Sequence, residues 1–223
     1  MIRLSINDFG IHDDIDTLKN HLFIIENKKY LYNFLNDMYS GCTVKEYVKV
    51  FDDGYRQLKN LDYVDFIPSL VHIDINNKKN INALVRYLKK VCSDEMEEYS
   101  HKINLMIEEL FAKIKLESPI DIISDINFTD DDLFKSFNLS IFESKESLIE
   151  RINNYISLSF ELRNIKVFIF YALFSFLEQE EVALLIKNCQ YKGIIIINIE
   201  NFDVNLGEFD IKKKLDLDNC LIE

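Results

Sequence analysis

Three sets of side chains in this sequence have types and spacings that could do chemistry. The first is cationic. Lys28, Lys29, Lys45, Lys49, Arg56 and Lys59 fall within Asn27–Lys59, where 6 basic side chains stand against 4 acidic ones in a chain of net charge −12. Phosphate binding needs concentrated Lys and Arg, so a bound polyanion would have to meet this stretch. The second set is acidic: Glu117, Asp121, Asp125, Asp130, Asp131 and Asp132. These offer only hard carboxylate oxygens, a donor set that suits calcium rather than zinc, although the spacing is not that of an EF-hand loop. Read from the residues alone, they are helix caps and a solvated loop. The third set is His72 and Asp74, two apart on an expected strand and therefore on one face, the arrangement of an acid–base or metal pair or of an ordinary strand surface.

Other chemistries lack their signatures. The five glycines, Gly10, Gly41, Gly54, Gly193 and Gly207, form neither G-x-x-x-x-G-K-[ST] nor G-x-G-x-x-G, so the backbone amides that cradle nucleotide phosphates are missing. No Ser or Cys has a nucleophile context such as G-x-S-x-G, and catalysis has no sequence support. Cys42, Cys92, Cys189 and Cys220 are scattered, with no C-x-x-C pair. A reduced cytoplasm is the expected home. The opening MIRLSINDFG lacks a signal-type apolar stretch, and no apolar run approaches the roughly 20 residues that span a bilayer.

The elements that must position these side chains are α/β in pattern. Ile2–Ile6 and Leu22–Ile25 read as strands, and Glu26–Tyr39 as a helix with Gly41 as its C-terminal cap. Glu46–Phe51 and Tyr55–Leu61 flank Asp52-Asp53-Gly54, a strong hairpin signal. Period-two geometry can put several of Lys45, Lys49, Arg56 and Lys59 on one face of that hairpin. Asp65–Ile75 is a mostly apolar strand interrupted by Pro68. Towards the C-terminus, Ile165–Phe174, Gln179–Tyr191 and Gly193–Ile199 read as strand, helix and strand, a βαβ unit with parallel, doubly covered strands. Cys220–Ile222 is a last short strand.

Between these lies a helical insertion. Ile81–Lys115 has an apolar stripe at Val85, Leu88, Cys92, Met96, Tyr99, Ile103, Met106, Leu110 and Ile114, and neither Gly nor Pro. At 1.5 Å per residue it would be roughly 50 Å long, more than a small domain needs. Ser118-Pro119 ends it. A short helix over Asp131–Phe137, capped by Thr129 or Asp130, and a second long helix over Lys145–Leu162 follow, the latter expected to fold back along the first as a two-helix leg. The expected organisation is one α/β head, residues 1–80 and 164–223, carrying a helical leg, residues 81–163.

Several of these segments together resemble the ring-forming CRISPR-associated protein of type II-A systems, the Csn-two family. EYVKVFDDGYRQLK, Glu46–Lys59, looks like the family's strand, FD turn and basic strand. Asp121–Asp130 followed by Leu133–Glu143 resembles its acidic segment and short helix, and Asn164–Glu200 its strand–helix–strand. KLDLDNCLIE fits its last strand. What the resemblance implies is a head like a P-loop NTPase core without a functional phosphate loop, an inserted helical leg, and a homotetrameric ring. The ring would be non-enzymatic, steadied by calcium, and would enclose double-stranded DNA ends without sequence readout in support of spacer acquisition. The CRISPR integrase complex and the type II effector nuclease would be its partners, with no membrane.

The resemblance makes Lys28, Lys29, Lys45, Lys49, Arg56 and Lys59 candidates for the DNA-facing lining. Glu117, Asp121, Asp125 and Asp130 become candidates for the calcium segment. Here the sequence departs from the pattern, since hydrophobic Ile123 replaces an intervening acid and one residue is inserted before Thr129. The alternative from another class is an oligomeric interaction scaffold that binds only protein.

Overall fold

The computed structural model describes residues 2–40, 47–59, 62–91, 93–123, 129–142 and 147–222. The chain divides into two compact units, residues 1–75 with 144–223, and residues 76–143.

The larger unit contains two sheets. One is antiparallel: β1 (Arg3–Ile6), β2 (Ile11–Asp14), β4 (Val48–Phe51) and β5 (Gln57–Leu58), in the order β2-β1-β4-β5. The other has six strands: β3 (His21–Ile25), β6 (Val64–Ile67), β7 (Val167–Tyr171), β8 (Ile195–Glu200), β9 (Ile211–Leu215) and β10 (Leu221–Ile222), in the order β10-β9-β3-β8-β7-β6. Its neighbours run parallel except at the β9–β10 edge. The helices of this unit are α1 (Lys28–Ser40), α5 (Leu148–Arg163) and α6 (Gln179–Tyr191).

Composition explains the difference between the sheets. β3 (HLFII) and most of β7 (VFIFY) and β8 (IIINIE) are buried residue after residue, as parallel strands covered on both faces must be. Phe23, Ile25, Val167, Ile169, Ile197 and Ile199 join Leu31 and Phe34 of α1 and Leu4, Ile6, Val48 and Val50 of the four-stranded sheet in one core cluster. Phe9 stacks on Phe23 within it, ring centroids 3.8 Å apart. Alternation puts Leu22, Ile24, Phe168 and Phe170 on the opposite face. They are equally buried, and α6, which contributes buried Val182, Leu185 and Ile186, packs on β8. The four-stranded sheet instead alternates. Leu4, Ile6, Val48 and Val50 point to the core, while Arg3, Lys49 and Phe51 are only half-buried.

The smaller unit contains α2 (Lys78–Val91), α3 (Ser93–Glu117) and α4 (Asp130–Ser136). Thr129 caps α4 in a capping box with Asp132, and Lys89 of α2 bonds Asp131 of α4 at 2.5 Å. The ends of the unit are tied to each other. Asn76 donates through Nδ2 to the Ile141 carbonyl at 3.1 Å and accepts from the Ile141 N–H at 2.6 Å.

Several sequence expectations change. β6 stops at Ile67, directly before Pro68, which has no N–H to offer a sheet ladder, and Leu70–His72 is a 3-10 turn rather than strand. The helix expected over 81–115 is described as α2, Lys78–Val91, and α3, Ser93–Glu117; Cys92 lies outside the described residues, as does Gly41. The helix expected over 145–162 is α5, and it groups with the larger unit. Tyr155 and Arg163 of α5 both bond Asp65 of β6, each at 2.7 Å. Strand β2 is an addition. Only four residues long with two of them exposed, it gives too short an alternation to register as a strand.

Candidate nucleic-acid interface

The β4–β5 hairpin is where the structure gathers the cations. The register pairs Phe51 with Gln57 and Val50 with Leu58, and Val50 and Leu58 face the core. Alternation therefore sends Lys49 to the outer face, and Lys59 follows directly after β5. Lys49 is half-buried and Lys59 exposed. The connecting turn is built by Asp52, whose Oδ1 accepts from the N–H of Gly54 at 3.0 Å and of Arg56 at 2.8 Å. Tyr55 adopts a left-handed conformation there, φ 60°, which side-chain-bearing residues visit mostly in such turns. Arg56 is exposed beside it.

Arg3 of β1 completes this end of the sheet and was not foreseen from the sequence. Its Nε donates to Asp14 Oδ1 at 3.0 Å and its Nη1 to the Tyr55 hydroxyl at 2.7 Å, with the guanidinium 5.1 Å from the Tyr55 ring centroid. These contacts fasten the hairpin turn to β1. The signal was a distant pairing, β1 with β4, which no local pattern discloses.

Two other basic candidates belong to a different element, α1. Lys28 and Lys29 are exposed in the first turn of α1, where Asn27 Oδ1 accepts from the N–H groups of Lys29 and Tyr30 at 3.0 and 3.1 Å. That turn follows the carboxyl end of β3. Lys45 lies outside the described residues.

The acidic candidates stand as follows. Glu117, at the end of α3, and Asp121 are exposed, whereas Asp125 and the side chain of Asp130 lie outside the described residues. Among the described residues no group of three or more His, Cys, Asp or Glu could hold a metal ion. Asp131 and Asp132 have structural partners. Asp132 accepts from the Thr129 hydroxyl and N–H and bonds Lys135, which holds its carboxyl down at about 2. His72 does not share a strand face with Asp74. It closes the 3-10 turn, its Nδ1 3.1 Å from the Ser69 hydroxyl.

The strongest ionisable groups by burial belong to the six-stranded sheet. Asp65 and Arg163 pair with side chains 3% and 7% exposed. Glu200 is fully enclosed at the end of β8. Its Oε1 accepts from the Phe174 N–H at 2.9 Å and from Asn198 Nδ2 at 3.0 Å, and Oε2 has no partner. Burial pushes this carboxyl above its ordinary range. Asn198 Oδ1 accepts from the Leu173 N–H at 3.3 Å. Together the two side chains pin the turn after β7, where Ala172 sits at φ 63°.

A mixed α/β protein with a doubly covered sheet, a second sheet presenting cations outward and a unit of helices inserted between β6 and β7 is the class these features define. A family model, CRISPR-associated protein (Cas_Csn2), matches residues 41–217, and the chain belongs to that family. Its role is therefore CRISPR-associated. No curated protein matches the chain. No described helix is long and apolar enough to cross a membrane.

Proposed function

We propose that this chain is a non-enzymatic CRISPR adaptation protein, a homotetrameric ring that binds double-stranded DNA ends without sequence specificity and threads the duplex through a basic hole. The observation that carries the reading is the cation set of the β4–β5 hairpin, exposed Arg56 and Lys59 with half-buried Lys49, in a chain of net charge −12. Cations concentrated against an acidic background give sequence-independent phosphate contact on one surface and repulsion elsewhere. Lys45, three residues before β4 in the sequence, and Lys28 and Lys29 on α1 extend the candidate lining.

The six-stranded sheet supports a head like a P-loop NTPase core without a working phosphate loop, because β3 passes into α1 through Glu26-Asn27, with no glycine between them. α2 and α3 would form the leg. α3 carries Tyr99, Met106, Leu110 and Ile114, each about half or more exposed in the single chain, which suits assembly with further copies. Calcium would be held by Glu117 and Asp121 with Asp125 and Asp130. These are oxygen donors of the right hardness, and the two described ones leave most of the six to eight oxygens such an ion takes to the others and to water. The integrase complex and the type II effector nuclease are the proposed partners, in the cytoplasm.

Light scattering after size exclusion, with a linear duplex and with a small closed circle, in calcium and in chelator, tests this. A tetramer that co-elutes with linear DNA and ignores the circle is expected. Equal binding to circles sinks threading, and a stable oligomer with no DNA at low salt favours the protein-only scaffold.

A further inference from the structure

Within the smaller unit, α2 and α4 face each other across a groove of about 410 Å³. Lys89, near the end of α2, bonds Asp131 at the start of α4, and the chain beyond α4 returns through Ile141 to Asn76, just ahead of α2. The two helices therefore run antiparallel and are tied at both ends. Ile81, Val85 and Lys89 line the groove at four-residue steps, a length of about 12 Å or two helical turns at 1.5 Å per residue. Phe134 of α4 is its buried floor, and Ile81, Val85 and Leu139 are left half-buried beside it.

The cations at its rim differ in what already holds them. Lys89 is committed to Asp131 and lies 6.0 Å from the Phe134 ring centroid. Lys135 bonds Asp132 at 3.2 Å, an exposed pair of little strength, and Asp132 keeps the Thr129 hydroxyl and N–H of its capping box when the lysine leaves. Arg86 is exposed and meets no carboxylate among the described residues. Asn82, one turn before Arg86 on α2, is exposed as well and offers both a donor and an acceptor. An apolar floor two turns long thus lies beside one free cation and one that is readily released.

We propose that this groove docks an acidic amphipathic segment of a partner protein, with apolar side chains on Val85 and Phe134, a carboxylate on Arg86 and a second on Lys135. The occupant is a protein segment because two turns of apolar surface match the one-turn spacing of anchors on an amphipathic helix. It is acidic because the uncommitted rim charge is cationic. A chain of net charge −12 has no general attraction for acidic peptides, so any attraction must come from such local cations. The docking site goes beyond the DNA reading and stands whether or not the hairpin meets phosphate.

The test is anisotropy of a labelled helical peptide that carries leucines one turn apart flanked by glutamates, beside copies with alanine for leucine and with lysine for glutamate. The proteins are the full chain as wild type, Arg86→Glu, Lys135→Glu and Lys187→Glu. Lys187 is a half-exposed cation on α6 in the larger unit, paired with Glu208 at 3.5 Å. Wild type should bind the leucine–glutamate peptide, and both copies roughly tenfold or more weakly. Arg86→Glu should weaken that binding by roughly tenfold and Lys135→Glu by roughly threefold, while Lys187→Glu changes it by less than about twofold. Thermal unfolding of the four proteins should nearly coincide, because the substituted side chains are exposed. A wild type that binds none of the peptides, or binds the alanine or lysine copy equally well, overturns the docking site. So does binding that Arg86→Glu leaves intact, or an equal loss in Lys187→Glu, which makes the attraction diffuse. A linear duplex bound by wild type and lost in Arg86→Glu, with no peptide bound, overturns it in favour of nucleic acid.

Discussion

His21, Asp65, Asn198 and Glu200 on the six-stranded sheet are all enclosed, whereas His12 of β2 and Arg56 and Lys59 beside β5 are exposed. Both sheets belong to the same unit and share one core cluster, so the difference comes from coverage. A polar group sealed between helices must find its partners inside the protein, and its removal strands them. An exposed polar group keeps access to water, so its removal strands little. The comparison teaches where to look for stability and where to look for binding in this fold.

The largest effect that could break this contrast concerns Asp65. Replacing it by Ala leaves the Arg163 guanidinium and the Tyr155 hydroxyl, both bonded to Asp65 at 2.7 Å, without their carboxylate. A loss of about 3–5 kcal/mol in urea unfolding is expected, because a buried charge and a buried hydroxyl both lose their carboxylate. A loss under 1 kcal/mol means that water reaches this pair and the sheet is less sealed than its burial indicates.

Next in size is a pH effect at His21. Burial, with Lys213 adding to it, pulls this imidazole from 6.5 down to about 4. The unfolded chain then takes up a proton first as pH falls, so stability is present above about 6.5 and is lost progressively down to about 4. Between pH 7 and pH 5 the cost is about 2 kcal/mol. Glu200 acts in the opposite sense, its raised carboxyl weakening the fold as pH rises above 4.5. Comparing wild type with His21→Gln at the two pH values isolates the histidine. A wild-type loss on acidification that His21→Gln does not reduce assigns it elsewhere.

The smallest effect sharpens the other side of the comparison. Lys59→Gln should change unfolding free energy by no more than about 0.5 kcal/mol, as exposed surface changes generally do. A larger destabilisation places Lys59 in the support of the hairpin rather than on its binding face.

Much of this was legible in the sequence where the cause is local. Gln179–Tyr191 matches α6 residue for residue, and Asp52-Asp53-Gly54 marks the hairpin because its turn chemistry is written in adjacent residues. The parallel β7–β8 pair followed from two apolar runs around one helix. What escaped depends on distant partners. Lys145–Leu162 has a regular apolar face, but periodicity gives a helix's buried side without naming what buries it, and α5 belongs with β6 through Asp65. Of the candidate site, alternation gave the outward facing of Lys49. Arg3 was silent because only the β1–β4 pairing brings it alongside the hairpin. Lys28 and Lys29 were grouped with the hairpin cations by nearness in sequence, and the fold puts them on another element.

The reciprocal bonds between Asn76 and Ile141 bear on ancestry as well as stability. An insertion whose ends are fastened to each other presents its host with a gap of almost fixed width, whatever length of chain lies between. Because loop-closure cost grows only logarithmically with length, whole helical turns can be gained or shed there at little penalty. Relatives are thus free to differ widely in the extent of this segment while β6 and α5 stay in register, which makes the helical unit the part of the molecule on which lineages can diverge.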